Sequence, residues 1–83
     1  MNFKEGQLFA VTQGDYRGSN IIIVDIIENN MNILDLPDMK NMVISKYEMK
    51  LGIEHNILEL LETVPQDILN TCKEQYEKNT NSR

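Results

Sequence analysis

The sequence predicts a mainly β fold: a small, strongly bent antiparallel barrel of four or five strands followed by one C-terminal helix. Three observations carry that prediction. Short apolar, β-branched runs separated by turn residues recur from Gln7 to about Met49. Their connections are short, which suits hairpins and a meander that curls on itself. Beyond Pro65, Ile68, Leu69, Cys72 and Tyr76 fall on one face of a helix over about 66–78.

Taken in order, Met1 to Glu5 is a short polar lead-in, and the first strand spans about 7–13 with Phe9 and Val11 on one face. Gly14-Asp15-Tyr16-Arg17-Gly18 reads as a loop bounded by glycines, which supply the positive φ that a short turn needs. The second strand covers Asn20 to Glu28. Its alternation places Ile22, Val24 and Ile26 on one side and Ile21, Ile23 and Ile27 on the other, so both faces need a cover. That cover is the C-terminal helix or a second subunit. Asn29-Asn30 predicts a tight hairpin. A third strand follows at about 31–36 and ends at Pro37, and Met42 to Tyr47 reads as a fourth strand.

Gly52 to Val64 supports two readings. Ile57, Leu60, Leu61 and Val64 have helical spacing, whereas Ile57-Leu58-Glu59-Leu60 alternates as a closing fifth strand would. The chain is read as one domain over 1–83, with the barrel at about 7–64 and a polar, frayed tail at 79–83.

Gly6, Phe9, Val11, Gly14, Tyr16, Arg17 and Gly18 occupy, in order, the positions of the KOW motif, and this stretch resembles KOW-type SH3-like barrels. Ile21 departs from the pattern, which expects a further glycine there. The resemblance implies an SH3-like fold. It implies little about function, since such barrels host RNA-, ribosome-, polymerase- and peptide-binding roles alike.

With 83 residues the chain buries only roughly 60% of its unfolded surface, so its core is thin. No apolar run approaches the ~18 residues needed to span a bilayer, and the N-terminus lacks the regions of a signal peptide. A cytoplasmic location and no membrane partner are therefore expected. The single cysteine, Cys72, reads as a small buried apolar residue in a reducing compartment.

The formal net charge is −5, opposite in sign to a protein that binds by neutralising phosphates. Residues 1–50 carry 5 basic against 7 acidic side chains and the remainder 3 against 6, so neither half holds a basic stripe. Direct nucleic-acid binding is disfavoured. A basic protein surface suits the charge.

Candidate chemistry is sparse. His55 has no clustered partners and reads as a surface or turn residue, no metal or cofactor is expected, and no catalytic residue is assigned. Glu59 with Glu62, or Asp35 with Asp38, could act as paired carboxylates, although solvated faces are commoner. Tyr16 and Arg17, beside Asp15, could stack on a base. Met31, Met39, Met42 and Met49 serve as core fillers or as an adaptable surface.

Two functional classes are expected. The first is an acidic, non-enzymatic regulator that presents Glu48, Glu54, Glu59, Glu62 and Asp67 to a partner's basic, nucleic-acid-binding surface, as a DNA-mimicking inhibitor does. In its Asn- and Ile-rich, acidic composition the chain resembles small proteins of phages of low-GC Gram-positive bacteria, which implies inhibition of a host DNA- or RNA-processing protein such as a sliding clamp, RNA polymerase or repair enzyme. The second class is a KOW-type RNA-binding or ribosome/polymerase accessory domain. A homodimer is also expected, because the apolar surface exceeds what one thin core hides.

Overall fold

The structure, a computed structural model, describes residues 2–81. Five antiparallel strands form one sheet: β1 (Gln7–Val11), β2 (Asn20–Ile27), β3 (Asn30–Leu36), β4 (Lys40–Ser45) and β5 (Leu58–Thr63). Their spatial order is β4-β3-β2-β1-β5. The first four make the predicted meander, and β5 returns beside β1 after a helix, α1 (Lys46–Glu54). A second helix, α2 (Gln66–Asn81), ends the described chain. The result is the small barrel-like β domain with a C-terminal helix that the sequence predicts.

β2 is the axis of this architecture. Ile21, Ile22, Ile23 and Val24 are exposed by only 5%, 1%, 0% and 2%, so both faces of the strand are covered. On the concave side Ile21 and Ile23 join Phe9, Met31, Ile33, Met49 and Leu58 in a core closed by α1 and β5. On the convex side Ile22, Val24 and Leu34 meet Cys72 of α2, with Leu8, Val64 and Tyr76 at the margin. Each large side chain buried this way stabilises the fold by roughly 1.5–3 kcal/mol. Leu69 and Cys72 face inward as predicted, but Ile68 is 47% exposed and does not belong to the buried face of the helix. Its neighbour Leu69 is already buried at 5% exposure, so the helix is seated here and Ile68, about 100° around the helix from Leu69, lies to one side of the buried face.

A β-bulge corrects the alternation in β2. The pairing with β3 shifts between Ile23 and Asp25, so Ile26 rejoins the side of Ile21 and Ile23 instead of following Ile22 and Val24. Ile27, expected to face inward, is 56% exposed. The hairpin turn is Glu28-Asn29 rather than Asn29-Asn30: Asn30 already pairs with Ile27, and Glu28 takes the positive φ of 56°.

β1 stops at Val11, short of the predicted residue 13, because the α1–β5 junction recruits the next two residues. The Thr12 amide donates to Ile57 O (2.8 Å), the Thr12 hydroxyl to Asn56 O (2.7 Å) and Gln13 Nε2 to Asn56 O (3.1 Å). Gly14 (φ 87°) and Gly18 (φ 95°) then open and close the following loop as expected.

The predicted fourth strand also ends early, at Ser45, where a capping box starts α1. The Glu48 amide donates to Ser45 Oγ (3.0 Å) and the Ser45 amide donates to Glu48 Oε1 (3.3 Å). Two otherwise unpaired amides are satisfied, which favours helix over strand at this point. For residues 58–63 the strand reading holds and the helical one does not. Within α2, residues 79–81 are helical and docked rather than frayed: Asn79 Nδ2 donates to Met39 O (2.7 Å) and to Asn41 Oδ1 (2.9 Å). The rest of the expected frayed tail, residues 82–83, lies outside the described residues, as does residue 1. The lead-in is not merely polar, since Phe3 packs on the concave core with its ring centroid 6.4 Å from that of Phe9.

Candidate functional site

The acidic residues singled out from the sequence occupy three elements. Glu48 and Glu54 sit near the two ends of α1, Glu59 and Glu62 on β5, and Asp67 in the first turn of α2. All are exposed. Glu59 lies across from Ala10 and Glu62 across from Leu8, two residues that share one face of β1, so the two glutamates share the convex side of the edge strand. Glu48 is different, because its carboxylate is held by the capping box. Among the described residues the one ion pair is Lys73 Nζ to Glu5 Oε1 at 2.6 Å, which leaves Glu54, Glu59, Glu62 and Asp67 without a basic partner.

Asp15, Tyr16 and Arg17 form the exposed tip of the β1–β2 loop. Two tight turns shape it, closed by the Arg17 amide donating to Gly14 O (3.2 Å) and the Ser19 amide donating to Tyr16 O (3.0 Å). Tyr16 is 61% exposed and yet borders an apolar cleft.

That cleft, about 370 Å³, opens on the concave side between this loop and α1. Ile21 and Ile33 give it a buried apolar floor. Met42, Ile44 and Leu51 form the walls, and Tyr16, Glu48 and His55 stand exposed around it. In the floor, beside Ile33, lies Asp35, 4% exposed, with its Oδ1 buried and without a hydrogen-bond partner. β3 alternation puts it there: Met31, Ile33 and Asp35 point to the concave side, Leu34 and Leu36 to the side of α2. Asp35 therefore does not stand with Asp38 on a solvated face; Asp38 is exposed in the turn and Asp35 is inside. The signal was present in the sequence as an acid at an inward position of an apolar strand.

Gly52 and the α1 capping box are the other residues that this site needs. Gly52 lets α1 approach β5 at Leu58, and both line the cleft. His55 ends α1 as its C-cap, in keeping with a turn histidine. Met31 and Met49 are core residues, Met42 is half-buried at the cleft, and Met39 is exposed.

Two groups on α2, away from the cleft, have displaced proton affinity. Burial pushes the Cys72 thiol above its ordinary value, which disfavours the thiolate and a nucleophilic role. Burial, and then the charge of Asp25, push the Tyr76 phenol up. Among the described residues no group of three or more His, Cys, Asp or Glu side chains could hold a metal ion. Among the described residues no helix is long and apolar enough to cross a membrane.

No family model, no curated protein and no solved structure matches this chain.

Proposed function

We infer that the protein is a small, non-catalytic binding module that captures a basic surface of a protein partner. The observation that carries this reading is the set of exposed carboxylates, Glu54, Glu59, Glu62 and Asp67, without basic partners among the described residues, in a chain of net charge −5. Such a surface attracts a cationic, nucleic-acid-binding channel and speeds association with it. Inhibition of a DNA- or RNA-processing protein through a DNA-mimicking face is the form of this activity that the acidity favours, and the phage-like composition points to a host protein as the target. The partner, a cytoplasmic setting and a homodimeric state all belong to this proposal.

A second reading, the KOW-type RNA-binding or accessory domain, is favoured by one observation: Tyr16 and Arg17 stand exposed side by side at the loop tip, where a base could stack. Capture of partners from a Gram-positive lysate at low and high salt, with each captured protein identified, separates the two. The first reading expects a basic partner whose retention falls with salt and falls in the Glu59→Lys/Glu62→Lys double variant. Direct RNA or DNA binding at physiological salt, lost on Tyr16→Ala or Arg17→Ala and indifferent to the glutamates, would replace it with the second.

A further inference from the structure

We propose that the cleft between the β1–β2 loop and α1 is a docking site for a basic side chain, lysine or arginine, of a protein segment whose neighbouring residue is apolar, with Asp35 as the anchoring carboxylate. This deepens the protein-binding reading and rests on it.

A buried polar atom without a hydrogen bond is costly, and a buried carboxylate more so, because charge leaves water without a compensating donor. Asp35 Oδ1 is such an atom. Its direct cross-strand neighbour in β4 is Lys40, which is exposed and makes no ion pair with it. Nothing within the described fold therefore explains why an acid occupies the position where Met31 and Ile33 set an apolar precedent. A ligand does explain it. Asp35 lines an open space whose walls are mostly apolar, Ile21, Ile33, Met42, Ile44 and Leu51 among them, with Glu48 and His55 exposed at its rim.

The chemistry of the walls selects the ligand. An apolar channel with the Asp35 carboxylate in its floor, and Glu48 and His55 exposed at its rim, matches a side chain with an aliphatic stem and a cationic head, which is what lysine and arginine present. An anion or a phosphate is repelled by Asp35 and by the net charge of −5. The volume, about 370 Å³, lies at the lower end of the roughly 300–1,000 Å³ typical of ligand sites, so one basic side chain with an apolar neighbour suits it. The exposed Tyr16 ring beside the cleft can cover the stem of the entering residue.

The test is a titration of the full-length protein, followed by amide resonances, with acetyl-Leu-Lys-Leu-amide, acetyl-Leu-Arg-Leu-amide and acetyl-Leu-norleucine-Leu-amide. Butylammonium and an oligouridine serve as further probes. The cationic peptides are expected to shift the amides of Ile33–Leu36, Leu51–His55 and the Tyr16 loop, and to bind roughly tenfold or more tighter than the norleucine peptide, since a hydrogen bond to a charged group contributes about 1.5–3 kcal/mol. Asp35→Asn is expected to erase that difference. Equal binding of norleucine and cationic peptides by the wild-type protein overturns the proposal whether or not the variant folds. So do shifts confined to β5 and α2, butylammonium binding as tightly as the peptides, or the oligouridine displacing them from the cleft. The titration uses isolated peptides and reads the cleft alone. Its failure leaves the role of Glu59 and Glu62 standing, and loss of salt-sensitive capture would leave the cleft standing.

Discussion

Gly52 in α1 and Leu58 in β5 pack so closely that a methyl group on Gly52 would lie 2.8 Å from Leu58 Cδ1 and 3.1 Å from its Cγ. Both residues border the cleft, so this contact fixes how far α1 stands from the closing strand. In an open helix, Gly→Ala stabilises by about 1 kcal/mol. Here overpacking opposes that gain at a cost of about 1–3 kcal/mol. Gly52→Ala is expected to lower stability by about 1 kcal/mol in urea unfolding and to shift the amide resonances of Leu51–Leu58. A gain in stability would show that Leu58 turns aside freely and that α1 is loosely held.

Asp35 gives the opposite sign. Replacing a side chain whose Oδ1 is buried without a hydrogen-bond partner with an apolar residue of similar bulk removes that desolvation cost, so Asp35→Leu is expected to raise stability by about 1–3 kcal/mol. The check is a rise in the urea midpoint at unchanged slope. A loss of that size would mean that Asp35 is already satisfied in solution. A gain accompanied by loss of peptide binding is the pattern of a residue kept for function at the expense of the fold.

The convex layer predicts an alkaline weakness. Cys72 and Tyr76 both lie on α2 against β2, and burial pushes both above their ordinary values of 9.0 and 10.0, with the Asp25 charge adding to the effect on Tyr76. The folded state then holds these protons more tightly than the unfolded chain does. Their contribution is complete below pH 9.0 and is lost as the pH rises through the raised values. The thermal midpoint is expected to fall above that pH more steeply in the wild type than in Cys72→Ala/Tyr76→Phe. Parallel curves would assign the alkaline loss elsewhere.

What the sequence made legible and what it hid follow from the range of the interactions. Four consecutive buried residues, Ile21 to Val24, announced a strand covered on both faces, and the spacing of Leu69 and Cys72 supplied one cover. These are local patterns. The bulge at Asp25 belongs to the pairing with β3, and no property of β2 alone places it. α1 was hidden because Met42 to Tyr47 reads as one strand, although Ser45 followed by Glu48 at the spacing of a capping box was there to find. The cleft gathers residues from β2, β3, β4 and α1, so only the tertiary fold could reveal it. Likewise the sequence could name the acidic residues but not distribute them. Glu48 turned out to be tied to Ser45, and Glu59 and Glu62 to share an edge.

That shared edge governs how two copies could meet. β5 is an outer strand of the sheet, and Leu60 and Leu61 on it are 42% and 48% exposed, so the self-association expected from the sequence would run through this strand. A two-fold antiparallel pairing centred between these leucines brings Glu59 of one copy opposite Glu62 of the other. Like charges directly opposite destabilise a cross-strand pair by a few tenths to about 1 kcal/mol, and here the clash occurs twice. The glutamates thus restrain the pairing that the leucines favour. Glu62→Lys places opposite charges at both positions and is expected to tighten association, whereas Glu59→Lys/Glu62→Lys restores like charges and is not. Added salt, which screens exposed charges beyond about 10 Å at 0.1 M, should strengthen association of the wild type and weaken that of Glu62→Lys. Sedimentation of the 9.6 kDa chain across a concentration series reads all three. If Glu62→Lys remains as monomeric as the wild type, copies do not meet along β5.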